Sequence, residues 1–248
     1  MLIAEDSPLL RLPSNLSAKQ AQFCDAVRFT AEMADIAYQQ LLVQLLPLSG
    51  PRTKEQRLSA ATPFLFAWSI IDSAHRLRRL VQNFPNLKDK NQSPEFRIFL
   101  SKGEAVEKLR NAVQHMDSDI HKSAKPGKAA WGTLAWVSST QHEAIFHTCV
   151  LVSGAMMPHG GSHTFINLAG LVVRKPIDHV TITIDDAAVN LTDVMTALER
   201  LVQAIEGGLN DAFKDFPDRA GSDMFIALPV QMGPNGRMIL LPQGERKG

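Results

Sequence analysis

Apolar residues recur every three or four positions in four long stretches, which is the period of an amphipathic helix. A more strand-like region separates the third stretch from the fourth. Asn190 or Thr192 is a suitable N-cap for the last helix. The predicted helices cover residues 17–46, 53–83, 93–120 and 191–213.

Signals for helix starts and breaks lie at the ends of these stretches. Ser17 and Thr53 are each followed three residues later by a glutamine, which is the pattern of a capping box. Ser93 precedes a proline and a glutamate, a favourable first turn. We expect Pro63 to kink the second helix and Gly103 to divide the third.

Between the third and fourth helices, β-branched or alternating runs are separated by turn-rich breaks, which predicts strands. The runs cover residues 131–138, 145–152, 166–173 and 179–184. After the last helix, two short apolar runs flank Gly233-Pro234-Asn235-Gly236, which predicts an extended hairpin or a wrapping arm.

These elements predict a mainly α protein, α+β overall. Its simplest form is an antiparallel four-helix bundle with a small β-sheet insertion before the last helix. The corresponding division is a helical part over residues 1–128, a sheet insertion over 129–185, the final bundle helix over 186–216 and an extended tail over 217–248.

Candidate chemistry is concentrated on the third helix, in the segment LRNAVQHMDSDIH over residues 109–121. Val106, Leu109 and Val113 continue a buried stripe, and Arg110 and His115 fall away from it. Asn111 and His115 are i,i+4 neighbours, and a long arginine side chain can reach the same patch. A guanidinium, an amide and an imidazole together can hold an anion and move a proton.

Charge and composition narrow the classes of partner. The chain is 45% hydrophobic and 21% charged with a net charge of +1, as in an ordinary globular protein without general affinity for nucleic acid. Between residues 76 and 128, however, twelve Lys and Arg residues accompany six Asp and Glu, a net of +6. This stretch contains Arg110 and His115. It therefore predicts a local anion-attracting field or, alternatively, a solvated charged face.

Targeting signals and cysteine usage indicate the compartment. Cys24 and Cys149 lie far apart in apolar stretches without a CxxC pair, so we expect free thiols in a reducing compartment. The first residues lack the basic region of a signal peptide. No apolar run approaches the roughly 20 residues that span a bilayer. We therefore expect a cytoplasmic protein without a membrane partner.

The helical part, roughly residues 17–121 and 190–214, resembles the HEPN superfamily of helical nucleic-acid-processing domains. The signature of that family is an arginine, often followed by a polar residue, and then a histidine after a few residues on a late bundle helix. The run from Arg110 and Asn111 to His115 has this form. The sheet and the tail lie outside the resemblance.

The resemblance implies a metal-independent endoribonuclease without a cofactor, in a defence or toxin setting, that acts as a homodimer with facing motif helices. His115 then suits general acid–base work and Arg110 suits phosphate binding, so these two are the candidate catalytic residues. Candidate auxiliary residues are Asn111 and Gln114 on the same helix and Asp72 and His75 on the second. The candidate RNA-binding residues are Arg76, Arg79 and Lys108.

Other functions stay open at this point. Many HEPN proteins are non-catalytic, so the chain can instead be a module that binds protein or nucleic acid. A third hypothesis is a helical bundle that binds a small ligand. The histidines and aspartates of residues 115–121 project in two directions, which disfavours a metal site. Arg174 and His179 repeat the motif spacing among strand-like segments, and we treat that match as accidental.

Overall fold

The computed structural model describes residues 2–50, 59–83, 93–114, 129–139, 145–154, 166–216, 219–221, 223–227, 230–232 and 238–240. Within them lie four α-helices, α1 (Ala18–Leu45), α2 (Ala61–Asn83), α3 (Pro94–Gln114) and α4 (Leu191–Ala212). A four-stranded antiparallel sheet lies between α3 and α4 in the chain. The fold is therefore α+β, as predicted.

The predicted caps of the first and last helices are confirmed. The Ser17 hydroxyl accepts a hydrogen bond from the Gln20 backbone N–H, and the Gln20 side chain accepts one from the Ser17 N–H. The Asn190 side chain caps α4 by accepting the N–H of Asp193 at 3.0 Å. Thr192, the alternative cap, instead accepts hydrogen bonds from the Val180 N–H and the Tyr38 hydroxyl.

Three expectations about helix ends and breaks are wrong. The second helix begins at Ala61 instead of Thr53, since Ser59 and Ala60 are not helical; Thr53 itself lies outside the described residues. Pro63 therefore stands in the first turn of α2, where a missing backbone N–H removes no helical hydrogen bond, and no kink is required. Gly103 does not divide α3, which runs unbroken to Gln114.

The sheet consists of β2 (Thr133–Ser139), β3 (Phe146–Val152), β4 (Ile177–Ile184) and β5 (Ala187–Asn190), in the order β3-β2-β4-β5. β5 leads directly into α4. The strand predicted over residues 166–173 is wrong, and β4 begins at Ile177. Asn167 and Gly170 explain the error: the Asn167 side chain accepts the Ala169 N–H, and Gly170 has a φ of +77°. The chain turns there instead of extending.

Helices and sheet share one hydrophobic core among the described residues. α1 packs along α2, α3 packs on α4 and α2, and α3 and α4 also contact the sheet through β4 and β5. Fully buried side chains occur in every one of these layers, including Leu41, Ile70, Leu77, Leu109, Leu134, Ile182 and Leu198. Each helix therefore buries one apolar face in the core. The solvent side of α1 is not purely polar, since it exposes Phe29, Met33, Ile36 and Val43.

The segment after α4 folds back onto the first residues of the chain. β6 (Arg219–Gly221) pairs antiparallel with β1 (Arg11–Pro13). Asp223 then accepts two hydrogen bonds from the buried guanidinium of Arg28, one of them at 2.9 Å. β7 (Val230–Met232) and β8 (Met238–Leu240) form the predicted hairpin. The tail thus supplies the counter-charge of a buried arginine.

Among the helices that the structure describes, none combines the length and the apolar character that crossing a membrane requires.

Candidate functional site

Arg110 lies near the end of α3, beside the buried stripe of that helix. Val106 and Leu109 are fully buried against the core. Position 110 lies about 100° around the helix from Leu109 and about 40° from Val106, so its side chain emerges at the flank of the buried stripe, 26% exposed. That flank faces α2. The pattern of the sequence thus places a guanidinium at the seam between two helices.

A carboxylate on α2 meets that guanidinium. Arg110 Nε donates to Asp72 Oδ1 at 2.9 Å. Arg76, one turn further along α2, donates from Nε and Nη2 to Asp72 Oδ2 at 3.2 and 3.0 Å. Partial burial raises the pKa of Asp72, but the hydrogen bonds from Arg110 and Arg76 outweigh it and hold that pKa below its usual value. Asp72 is therefore ionised at neutral pH and bridges two arginines.

This ionic cluster orients its members more than it stabilises the fold. Asp72 is 42% exposed and Arg76 is 63% exposed. Exposed ion pairs contribute about 0–1 kcal/mol, because water screens them and long side chains lose entropy on pairing. Two arginines sharing one carboxylate keep a net positive charge. The cluster therefore fixes the orientation of two arginines at the surface and contributes little to the free energy of unfolding.

His75 lies one turn from Asp72 on α2. Partial burial, reinforced by the positive charge of Arg110, lowers the pKa of His75 below 6.5. Its Nδ1 atom is buried and has no hydrogen-bond partner among the described residues. Protonation at Nδ1 would bury an N–H without an acceptor. At neutral pH the ring is therefore neutral, with its proton favoured on Nε2.

A groove of about 620 Å³ lies between the first half of α1, the second half of α2 and Arg110. We call it the basic groove. Its polar lining consists of Lys19, Thr30, His75, Arg76, Arg79, Asn83 and Arg110. No carboxylate is among the described residues that line it, although Asp72 contacts two of its arginines from the side. Four permanent cations around one concave surface favour an anion with several oxygens, such as a phosphate.

A second cleft, of about 300 Å³, adjoins the first at Arg110, which lines both. We call it the aromatic cleft. Its lining is Leu65, Trp68, Ser69, Ile71, Asp72, Arg110, Val113 and Trp131. Trp68 Nε1 donates to the backbone carbonyl of Trp131 at 3.4 Å. The two tryptophans thus connect α2 with the start of the sheet beside the ionic cluster.

A second ion pair also joins α2 to α3. Arg78 donates to Glu107, and the hydrogen bond and charge of Arg78 lower the pKa of Glu107. Gly103 makes room for this contact, since a Cβ built there would lie 2.3 Å from Arg78 Cδ. The glycine expected to divide α3 instead allows an arginine of α2 to pack against the helix.

The predicted site residues divide into three groups. Arg110, Asp72, His75, Arg76 and Arg79 come together in the basic groove and its ionic cluster. Asn111 and Lys108 are exposed and line neither cleft. His115 lies outside the described residues, and so does the side chain of Gln114.

Reasoning from the sequence missed Lys19, Trp68 and Trp131. Lys19 reaches the groove only because α1 and α2 pack side by side, a contact between residues about 60 positions apart. Trp68 lies inside the predicted second helix and Trp131 begins the strand predicted over residues 131–138, and neither pattern indicates a site. Their meeting in one cleft depends on the position of α2 beside the start of the sheet, which has no local sequence signal.

Among the described residues, no three His, Cys, Asp or Glu side chains are grouped as metal ligands. Comparisons with models of protein families, with curated proteins and with solved structures found no match for this chain.

Proposed function

We propose that this protein is a metal-independent endoribonuclease of HEPN type, in which Arg110 binds the scissile phosphate and His115 transfers protons. The basic groove is the single observation that carries the proposal. It concentrates Lys19, Arg76, Arg79 and Arg110 on one concave surface of a chain whose overall net charge is only +1. Such a local positive charge attracts a polyanion to the groove, while the near-neutral molecule as a whole does not attract nucleic acid.

RNA supplies its own nucleophile, because a ribose 2′-hydroxyl can attack the adjacent phosphorus and expel the 5′-oxygen of the next nucleotide. The protein then has two tasks. A planar, always-charged guanidinium such as that of Arg110 stabilises the phosphorane oxygens. An imidazole, whose unperturbed pKa is near 6.5, can take the proton from the 2′-hydroxyl and deliver one to the departing 5′-oxygen, and we assign this role to His115.

His75 suits a third role in this reaction. Its lowered pKa keeps the ring neutral, and its buried Nδ1 leaves Nε2 as the favoured donor. The Nε2–H of neutral His75 can donate a hydrogen bond to a phosphate oxygen beside Arg110. The ring does not have to become protonated, which partial burial disfavours. We assign His75 to phosphate positioning instead of proton abstraction.

Assembly and finer architecture belong to the same proposal. One arginine–histidine set is sparse for catalysis, so we propose a two-fold homodimer that brings the Arg110 sides of two chains together, and action in the cytoplasm. We also propose that α1 to α4 form an antiparallel bundle. The contacts of α1 with α2, α2 with α3, α3 with α4 and α1 with α4 support that arrangement. Sedimentation at micromolar concentration tests the dimer, and a monomer contradicts it.

The function is tested by incubating the full chain with single-stranded RNA in EDTA. We expect cleavage by the wild type and none by His115→Ala or Arg110→Ala. General acid–base catalysis typically contributes about 10²–10⁴-fold. The melting temperature of Arg110→Ala should stay close to that of the wild type, because the Arg110–Asp72 pair is partly exposed.

A non-catalytic interaction module is the second candidate. Its support is the Arg110–Asp72 hydrogen bond, since a guanidinium held by a carboxylate can serve the structure alone. It becomes the leading account if folded wild-type protein cuts no RNA in EDTA while both alanine variants lose melting temperature.

A ligand-binding bundle is the third candidate. An apolar cavity of about 230 Å³ near Cys24, Val27, Phe96 and Phe213 supports it. Stabilisation of the chain by an apolar probe such as benzene, abolished by filling the cavity with Cys24→Phe, would favour this candidate.

A further inference from the structure

We infer that the aromatic cleft is a nucleobase subsite, in which Trp131 stacks on a base of the strand whose phosphate lies at Arg110. The inference rests on the proposed function and adds to it the way the strand is held. Arg110 lines both the cleft and the basic groove, so a base in one and a phosphate in the other can belong to neighbouring positions of one strand.

Trp131 is both exposed and anchored. Its side chain remains 50% exposed, although a tryptophan is usually among the more buried residues of a fold. Its backbone N–H donates to Ser153 Oγ at 3.0 Å, and Ser153 Oγ donates to the Gly132 carbonyl at 3.1 Å. Gly132 has a φ of +85°, and a Cβ there would meet the Thr183 carbonyl oxygen at 2.5 Å. The indole thus stands on a fixed backbone with an open surface.

The neighbours of Trp131 suit a flat, partly polar ligand. Trp68 supplies a second indole, and its Nε1–H is already directed to the Trp131 carbonyl, so its apolar ring is what remains for contact. Asp72 lines the same cleft and can accept hydrogen bonds from base amino groups. A purely apolar ligand would gain nothing from that carboxylate.

The course of α2 suggests the path of the bound strand. Trp68, Asp72, Arg76 and Arg79 follow one another at intervals of three or four residues, about one helical turn of 5.4 Å each. The order along the helix is therefore aromatic, acidic, then basic. We place the base at the first half of α2 and the following phosphates along its second half. Stacking on an indole accepts any base, so sequence preference should be weak.

The test measures binding of an uncleavable strand, a single-stranded 2′-O-methyl RNA, and of the same strand with every base removed. Stacking on an aromatic side chain contributes about 1–3 kcal/mol per base, a factor of about 5 to 150 in affinity. We expect the wild type to bind the complete strand more tightly by that factor. Trp131→Leu should bind both strands alike, and Trp131→Phe should keep part of the difference.

Phe29→Leu is the matched control, because Phe29 is 48% exposed and lines neither cleft. It should retain the full difference between the strands. Equal binding of both strands by the wild type, with RNA still cut in EDTA, overturns the subsite and leaves the nuclease proposal standing. Base-dependent binding that Trp131→Leu abolishes, without any cleavage, retains the subsite and overturns catalysis. If the wild type binds neither strand, the base subsite and the nuclease proposal are both overturned.

Discussion

Arg110 on α3 and Asp72 on α2 are joined by a hydrogen bond of 2.9 Å from Nε to Oδ1, across 38 positions of sequence. The same carboxylate also binds Arg76. Because the cluster is partly exposed, its main effect is to orient the arginines at the meeting point of the two clefts. This relationship gives the first prediction.

Asp72→Asn should separate binding from catalysis. Removing the carboxylate makes the basic groove more positive, so RNA should bind more tightly, while a less constrained Arg110 should slow single-turnover cleavage by about tenfold or more. Stability should fall by no more than about 1 kcal/mol. Asp193→Asn, which removes a similarly exposed carboxylate paired with Lys102, is the control. Tighter binding with unchanged cleavage would show that Asp72 does not position Arg110.

The basic groove predicts how binding responds to salt. Each phosphate neutralised on a single strand contributes about 0.7 to the slope of log affinity against log salt concentration. Lys19→Gln and Arg79→Gln should each reduce that slope by about this amount. Lys108→Gln removes the same charge from an exposed position outside the groove and should leave the slope unchanged. Equal effects of all three changes would mean that binding is diffuse.

His75 predicts a dependence of stability on pH. Its pKa in the folded chain lies below the ordinary 6.5, so the unfolded chain takes up the proton first as pH falls. The contribution of His75 to stability is therefore complete above pH 6.5 and is lost as pH falls from there through the folded-state pKa. Urea unfolding of the wild type and His75→Gln between pH 8 and 5 measures it. A difference between the two that does not vary with pH would contradict the burial of neutral His75.

Two glycines of the helices should respond oppositely to alanine. Gly103→Ala places a Cβ 2.3 Å from Arg78 Cδ and should cost about 1–3 kcal/mol, because the Arg78–Glu107 contact must move. Gly207→Ala meets nothing within 4 Å on α4 and should stabilise the chain by up to about 1 kcal/mol. Urea unfolding compares them. Equal or greater stability of Gly103→Ala would remove the packing role assigned to that glycine.

Local signals predicted much of the fold. Ser17 and Asn190 cap helices through contacts with residues three positions away, so the sequence contains both partners. The apolar residues of 166–173 predict a strand, but the turn signals of Asn167 and Gly170 decide the observed structure. The kink expected at Pro63 follows from the predicted helix start at Thr53, which would place the proline inside the helix. Because α2 begins at Ala61, Pro63 lies in the first turn, where a proline is tolerated.

The site was less predictable, because it depends on helix pairing. Arg110 and Asp72 are each chemically suitable candidates in the sequence, but the sharing of one carboxylate by two arginines depends on the registry of α2 with α3. Lys19 joins the groove through the packing of α1 on α2. Such contacts between distant residues have no local signature.

The products of a chimeric oligonucleotide, DNA with a single ribonucleotide, give the most direct test of the proposed chemistry. With the full chain in EDTA, we predict one cut, immediately 3′ of the ribonucleotide, that leaves a 2′,3′-cyclic phosphate and is lost in His115→Ala and Arg110→Ala. Each of the four bases is placed at the ribonucleotide in turn, so that base preference does not hide the cut. Cutting at deoxynucleotides, or no cutting by folded protein at any of the four, would contradict attack by the 2′-hydroxyl at Arg110.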